Sequence, residues 1–233
     1  MSDTCSQNAV GHFFLETCVY LLVFQKLKQR FPNIKLYSEG KRKFKQILCD
    51  YFDTPCVDTY TEGCSIVAPP PRTNLHIQGY DDEYIHILDS FYAHFSKFSN
   101  VPILTKYLVM PRQSKENYAI NDRKVEFGDI YSAFETAGVK YELLETDKID
   151  NIKDQMLRVA ASEVIILNSG SAFELNGAFC TNKIIIAVGE LDMMEHASTY
   201  PRHFYPITKV MDINTVHFCK TQEEAIAILR TMF

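Results

Sequence analysis

The chain has 233 residues, 46% of them hydrophobic, and a formal net charge of −5. That length holds one large domain or two compact ones with a sizeable core. The acidic balance argues against a nucleic-acid coat or an anionic membrane surface as the main partner, so a polyanionic ligand must be held by local backbone dipoles and a few Arg or Lys.

Seven cysteines, at 5, 18, 49, 56, 64, 180 and 219, are odd in number and never spaced as CxxC. The expectation is free, buried thiols in a reducing compartment. A zinc cluster from Cys49, Cys56, Cys64 and a His is the alternative, although its spacing matches no standard site. The apolar run from Phe13 to Phe24 is interrupted by Glu16 and Thr17 and is too short to cross a bilayer. No secretory segment is expected either. The chain as sequenced therefore reads as cytoplasmic and not membrane-inserted; the Golgi lumen is the alternative if natural relatives carry an anchor.

Helical spacing of Leu15, Val19, Leu22, Val23, Leu27 and Phe31 predicts a first helix over about 10–30, ended by Pro32-Asn33. A short strand is expected over Ile34 to Tyr37, then a helix over about Arg42 to Tyr51 with Phe44, Ile47 and Leu48 inward. Val57 to Val67 alternates loosely and suggests one or two strands, before Pro69-Pro70-Pro71 stiffens a connection. A long helix over about Asp82 to Phe98 carries Tyr84, Phe91, Tyr92, Phe95 and Phe98, an aromatic set that is more simply core than a stacking site.

A boundary near residue 100 separates two expected α/β halves, 1–100 and 101–233. The second opens with a strand over Ile103 to Met110, a polar loop over Pro111 to Arg123 and a helix over Phe127 to Ala137, stopped by Gly138. A strand over Val139 to Leu144 and a helix over Asn151 to Ala161 follow. Lys209 to Ile213 reads as a short strand, and Thr221 to Thr231 as a closing helix with Thr221 and Glu224 forming a capping box. Strands alternating with helices imply right-handed crossovers and a parallel sheet, with ligands beyond the carboxyl ends of the strands. Met110, Leu144, Leu167 and Val188 then aim their loops at one cleft.

The centre of this pattern is Ala161 to Glu190: a strand over Val164 to Leu167, a turn over Asn168 to Ser171, a helix over Ala172 to Cys180 and a strand over Lys183 to Val188. Asn168, Ser169, Gly170, Ser171 and Ala172 place small residues and backbone N–H groups where a helix begins, a seat suited to phosphate. The ordinary alternative is a strand–helix turn capped by a serine. Glu174, one turn in, either reaches a ligand held at that seat or complements the helix dipole. Asn176 either contacts that ligand or packs between helices.

Several short segments together carry a resemblance. They are Gly11-His12-Phe13-Phe14-Leu15-Glu16, Met110-Pro111-Arg112, Ile120-Asn121-Asp122, Gln155 with Ala160-Ala161, and Ser169-Gly170-Ser171-Ala172 with Asn176. In order and spacing the chain resembles the glycosyltransferase family 61 proteins. It departs from their pattern at Ser169, where the family usually has His, and at Asn117, where an Arg is expected. The resemblance implies a GT-B-like fold, two Rossmann-type αβα halves whose parallel sheets face a central cleft, with the acceptor side in 1–100 and the donor side in 101–233.

The implied activity is transfer of a sugar, with inversion, from a nucleotide-sugar donor (a UDP-sugar such as UDP-xylose) to a hydroxyl of an oligosaccharide or glycoprotein glycan. The donor is a co-substrate; no cofactor or metal is expected. His12 and Glu16 are four apart, on one helix face, and Glu16 is the expected base, worth roughly 10²–10⁴ in rate, with His12 orienting the acceptor. Arg112 would meet the departing diphosphate through a guanidinium fork. Two other readings stay open: a non-catalytic nucleotide-binding α/β module and a sugar-nucleotide epimerase of similar architecture.

Overall fold

The computed structural model describes residues 20–37, 43–54, 56–57, 82–95, 98, 100–111, 127–189, 197, 199–200 and 204–233. In its first part, helix α1 (Tyr20–Arg30) leads to strand β1 (Leu36–Tyr37), helix α2 (Lys43–Tyr51) and strand β2 (Cys56–Val57), and β1 and β2 pair in parallel. Helix α3 (Asp82–Phe95) follows. Residues 10–19 and 58–67, where more helix and strand are expected, lie outside the described residues.

The second part alternates as its pattern predicts. Strand β3 (Thr105–Met110), helix α4 (Gly128–Ala137), strand β4 (Glu142–Leu143) and helix α5 (Ile152–Ala160) come first. Strand β5 (Ser162–Asn168), helix α6 (Ser171–Gly177), strand β6 (Ile184–Val188), helix α7 (Tyr205–Ile213), strand β7 (Thr215–Cys219) and helix α8 (Gln222–Arg230) complete it. The five strands β3–β7 form one parallel sheet in the order β4-β3-β5-β6-β7.

The central strands carry apolar runs, Tyr107 to Met110, Val164 to Leu167 and Ile184 to Val188, because both of their faces are covered there. Side chains alternate across a strand. Leu108, Met110, Ile165, Leu167, Ile185 and Ala187 therefore enter one core, and Tyr107, Val109, Val164, Ile166, Ile186 and Val188 enter the other. The second core is closed by Phe127, Ile130 and Phe134 around α4 and by Ala225 and Leu229 of α8. The first takes α5, α6 and α7, through Met156, Val159, Phe173, Ile207 and Val210. Right-handed crossovers require this division, since the chain steps one way from β3 to β4 and the other way ever after.

Residues on both sides of position 100 share the first core. Leu21, Leu48, Phe52, Tyr84, Leu88, Phe91 and Phe95 lie in it with the sheet residues. The aromatic face of α3 is core: the Phe91 and Phe95 rings meet edge-on at 5.0 Å, and Phe95 meets Phe179, just past α6, at 5.0 Å. Polar contacts fasten the same seam. Tyr92 Oη donates to the Pro206 carbonyl at 3.3 Å, and Tyr205 Oη donates to Asp89 at 2.7 Å.

One predicted element is corrected. Lys209 to Ile213 is the end of helix α7, and the edge strand is Thr215–Cys219. Ile207, Thr208, Val210 and Ile213 are β-branched and invite a strand reading. Pro206 in the first helical turn is preorganised for a helix start, and Ile207 and Val210 bury at helical spacing. Other local signals act as their residue types require. Gly138 adopts φ +66° and closes α4, its N–H donating to the Glu135 and Phe134 carbonyls. Thr221 Oγ1 accepts from Glu224 N–H at 3.4 Å, and the Glu224 carboxylate accepts from Lys220 N–H at 2.6 Å.

Cys49, Cys180 and Cys219 are buried and outside any disulfide. Burial pushes the Cys180 thiol up to about 12 and the Cys219 thiol up to about 11, so both stay protonated and unreactive at neutral pH. No described helix is long and apolar enough to cross a membrane.

Candidate functional site

A parallel sheet opens a crevice where the connections from two neighbouring strands run apart, toward opposite ends of the strand order and on opposite faces. Here that place is between β3 and β5. The chain leaving Met110 crosses to the face of α4, and the chain leaving Asn168 crosses to the face of α6. The two strands are paired directly, with Met110 opposite Leu167. The crevice between their carboxyl ends is thus flanked by Pro111 on one side and by Ser169, Gly170 and Ser171 on the other.

The turn after β5 is well defined. Asn168 ends the strand, 3% exposed, opposite Val188 of β6. Ser169 N–H donates to the Val188 carbonyl at 2.9 Å, carrying the ladder one residue further. Gly170 then takes φ +85°, ψ −142°, a conformation close to the glycine-only region. A Cβ placed there would meet nothing within 4 Å. The need for glycine is one of backbone torsion, and the position faces open space.

Helix α6 begins at Ser171 with no side-chain cap, and Glu174 N–H donates to the Gly170 carbonyl at 3.1 Å. Ala172 and Glu174 are half-buried in the first turn. The helix is short, so its dipole adds only modestly to what the backbone N–H groups supply. At its far end Gly177 lies directly beneath Val210 of α7, and any Cβ would collide with that side chain.

At three of the other helix starts on this edge a side chain accepts from the first N–H groups, whereas α7, like α6, starts with no side-chain cap. Gln222 Oε1 accepts from Asp129 N–H at 3.1 Å and Ile130 N–H at 3.3 Å at the start of α4. Asn151 Oδ1 accepts from Lys153 N–H at 2.9 Å at the start of α5. Thr221 caps α8.

The expected site residues fall into three sets. Asn168, Ser169, Gly170, Ser171 and Ala172 follow one another from the carboxyl end of β5 into the start of α6, with Glu174 one turn on. Asn176 is 2% exposed and turned inward: its Oδ1 accepts from Gln155 Nε2 at 2.6 Å, and its Nδ2 donates to the Ala172 carbonyl at 2.7 Å. These contacts match its helix-packing alternative. His12, Glu16 and Arg112, with Asn117, Asn121 and Asp122, lie outside the described residues. Pro111, half-buried, is the last described residue before Arg112.

Gln155 is the residue that the list of expected contacts omitted. Its only sequence signal was its place among the resembling segments. Among the described residues no three His, Cys, Asp or Glu side chains gather to hold a metal ion. Cys49, one corner of the alternative zinc cluster, is buried, while Cys64 lies outside the described residues. No protein-family model and no curated protein matches the chain.

Proposed function

We propose that this chain is an inverting glycosyltransferase of GT-B type, moving a sugar from a nucleotide-sugar donor, preferentially a UDP-sugar such as UDP-xylose, to a glycan hydroxyl. One observation carries the reading: the strand order β4-β3-β5-β6-β7, whose reversal lies between the strands ending at Met110 and Asn168. It is at such a reversal that doubly wound sheets hold nucleotides.

In this reading the turn Asn168 to Ala172 receives the diphosphate through backbone N–H groups, and Glu174 reaches the ribose or donor sugar. Arg112, two residues beyond β3, supplies fixed positive charge to the departing diphosphate. Glu16 removes the proton from the acceptor hydroxyl as it attacks the anomeric carbon, and His12 orients that hydroxyl. Charge on the leaving group is met by Arg112 and the turn, so transfer should survive EDTA.

The shared core of residues before and after position 100 favours a second reading, a nucleotide-binding α/β module without transfer. A thermal-shift panel of nucleotides and nucleotide sugars separates the two from a protein that binds neither. A bound donor at 100 times its Kd should add ~2.7 kcal/mol of stability. Release of free nucleotide from the donor, abolished in Glu16→Gln with donor affinity kept, supports the transferase. Binding without turnover on any acceptor supports the module, and no shift with any nucleotide overturns both.

A further inference from the structure

Helix α1 turns one side to the first core and another to solvent. Leu21 is 1% exposed, Leu22 packs against the core, and Gln25 Nε2 donates to the Phe52 carbonyl. Val23, Lys26, Leu27, Arg30 and Phe31 are all exposed. Their spacing of i, i+3, i+4, i+7 and i+8 is that of a single helix face. Phe31 continues the face past the last helical residue, since its N–H donates to the Leu27 carbonyl at 2.8 Å. The three apolar members, Val23, Leu27 and Phe31, are 36%, 40% and 50% exposed.

Charge is concentrated at the same place. The chain as a whole carries −5, yet residues 20–45 hold eight of its 24 Lys and Arg and one of its 29 Asp and Glu, Glu39. Between Tyr20 and Tyr37 there is no acidic residue. Lys26 and Arg30 stand within the apolar stripe, with Lys35 exposed shortly after it. The Arg30 guanidinium lies 5.5 Å from the centroid of the Phe31 ring.

A partner for this face must accept aliphatic side chains and positive charge together. A polynucleotide answers the charges through its phosphates but offers Val23 and Leu27 little apolar surface. A bilayer with acidic headgroups answers both, with anionic groups at its surface and acyl chain just beneath. At 11 residues α1 is too short to span such a bilayer, so it would lie in the plane of the interface.

We propose that the exposed face of α1 docks the protein on a bilayer surface carrying anionic phospholipid. Val23, Leu27 and Phe31 enter the headgroup region, and Lys26, Arg30 and Lys35 meet the lipid phosphates. The proposal uses none of the residues of the nucleotide site and stands apart from the glycosyl-transfer reading. Because the rest of the chain is acidic, the contact is local and weakens with salt.

Flotation of the full chain with vesicles tests it, comparing phosphatidylcholine alone with phosphatidylcholine containing about 30% phosphatidylserine. The expected result is binding to the mixed vesicles at least about tenfold tighter than to the neutral ones. Lys26→Gln with Arg30→Gln should weaken it by about 25-fold, roughly fivefold for each charge. Leu27→Gln with Phe31→Gln should weaken it by about tenfold. All four positions are exposed, so circular dichroism should show the parent fold in both variants. Equal affinity for the two vesicles, or binding to neither, would overturn the proposal. Vesicle binding that the apolar pair leaves unchanged, with tighter binding to an oligonucleotide, would overturn it in favour of a nucleic-acid surface. A dimer in sedimentation velocity that the apolar pair dissociates would overturn it in favour of a second copy of the chain.

Discussion

Two turns leave the same edge of the sheet and are finished differently. After β7, Lys220 and Thr221 enter α8, and the chain closes on itself: Thr221 Oγ1 takes the Glu224 N–H, and the Glu224 carboxylate takes the Lys220 N–H. After β5, Ser169 and Gly170 enter α6 with no side-chain cap, and Gly170 holds φ +85° beside open space. Both are short polar turns between a parallel strand and a helix. The first has two of its end groups met from within the turn. The second sits where the sheet reverses direction, the place proposed above for the diphosphate.

Substitution should separate the two. The largest effect belongs to Gly170→Ala, where a side chain is forced into a nearly glycine-only conformation at a cost of about 1–3 kcal/mol. Chemical denaturation reads that loss, and UDP affinity should fall with it. A stability change within error would mean that the turn does not need this backbone geometry. Next comes Thr221→Ala, which removes a helix cap at a cost of ~1 kcal/mol and should leave UDP affinity as it was. If both variants lose nucleotide binding alike, the distinction between the turns fails.

A third start at this edge, that of α7, is held from outside its own sequence. Tyr205 and Lys209 both reach Asp89 of α3, each at 2.7 Å. Burial pushes the Asp89 carboxyl up, but hydrogen bonds from Lys209 and Tyr205 outweigh it and hold the group below its ordinary value of 3.8. A lowered folded value means stability that is present above 3.8 and lost as the pH falls through the lower value. The pair is part-exposed, so Asp89→Asn should cost only ~0.2–1 kcal/mol at neutral pH. The difference between the parent chain and the variant should shrink as the pH drops below 3.8. A gap that persists at lower pH would point to packing, not charge.

Much of this was legible in the residues. Gly138 past α4 and Thr221 with Glu224 before α8 act through groups within four positions, and both took their expected forms. The buried strands β3, β5 and β6 announced themselves as continuous apolar runs, because both faces are covered. The α7 region misled because its β-branched residues argue for strand, while Pro206 and the burial of Ile207 and Val210 decide for helix. The strand–turn–helix passage at Ser169 and Gly170 was legible from residue type. The inward turn of Asn176 was not, since it depends on Gln155 from another helix, 21 residues away.

What the sequence determined by itself was local: where α4 stops and α8 starts, which runs are buried, and that strands and helices alternate in parallel fashion. These follow from backbone torsions, caps and hydrophobic period, all short-range. Only the tertiary structure decided that β4 lies outside β3 and β5 inside it. That order comes from how apolar faces of distant segments pack against one another, and no spacing along the chain encodes it. It also settled that α1, α2 and α3 share the core of the sheet. The position of the crevice depends on that order, so the turn at Ser169 and Gly170 acquires its neighbour, the chain beyond Met110, only in the folded molecule.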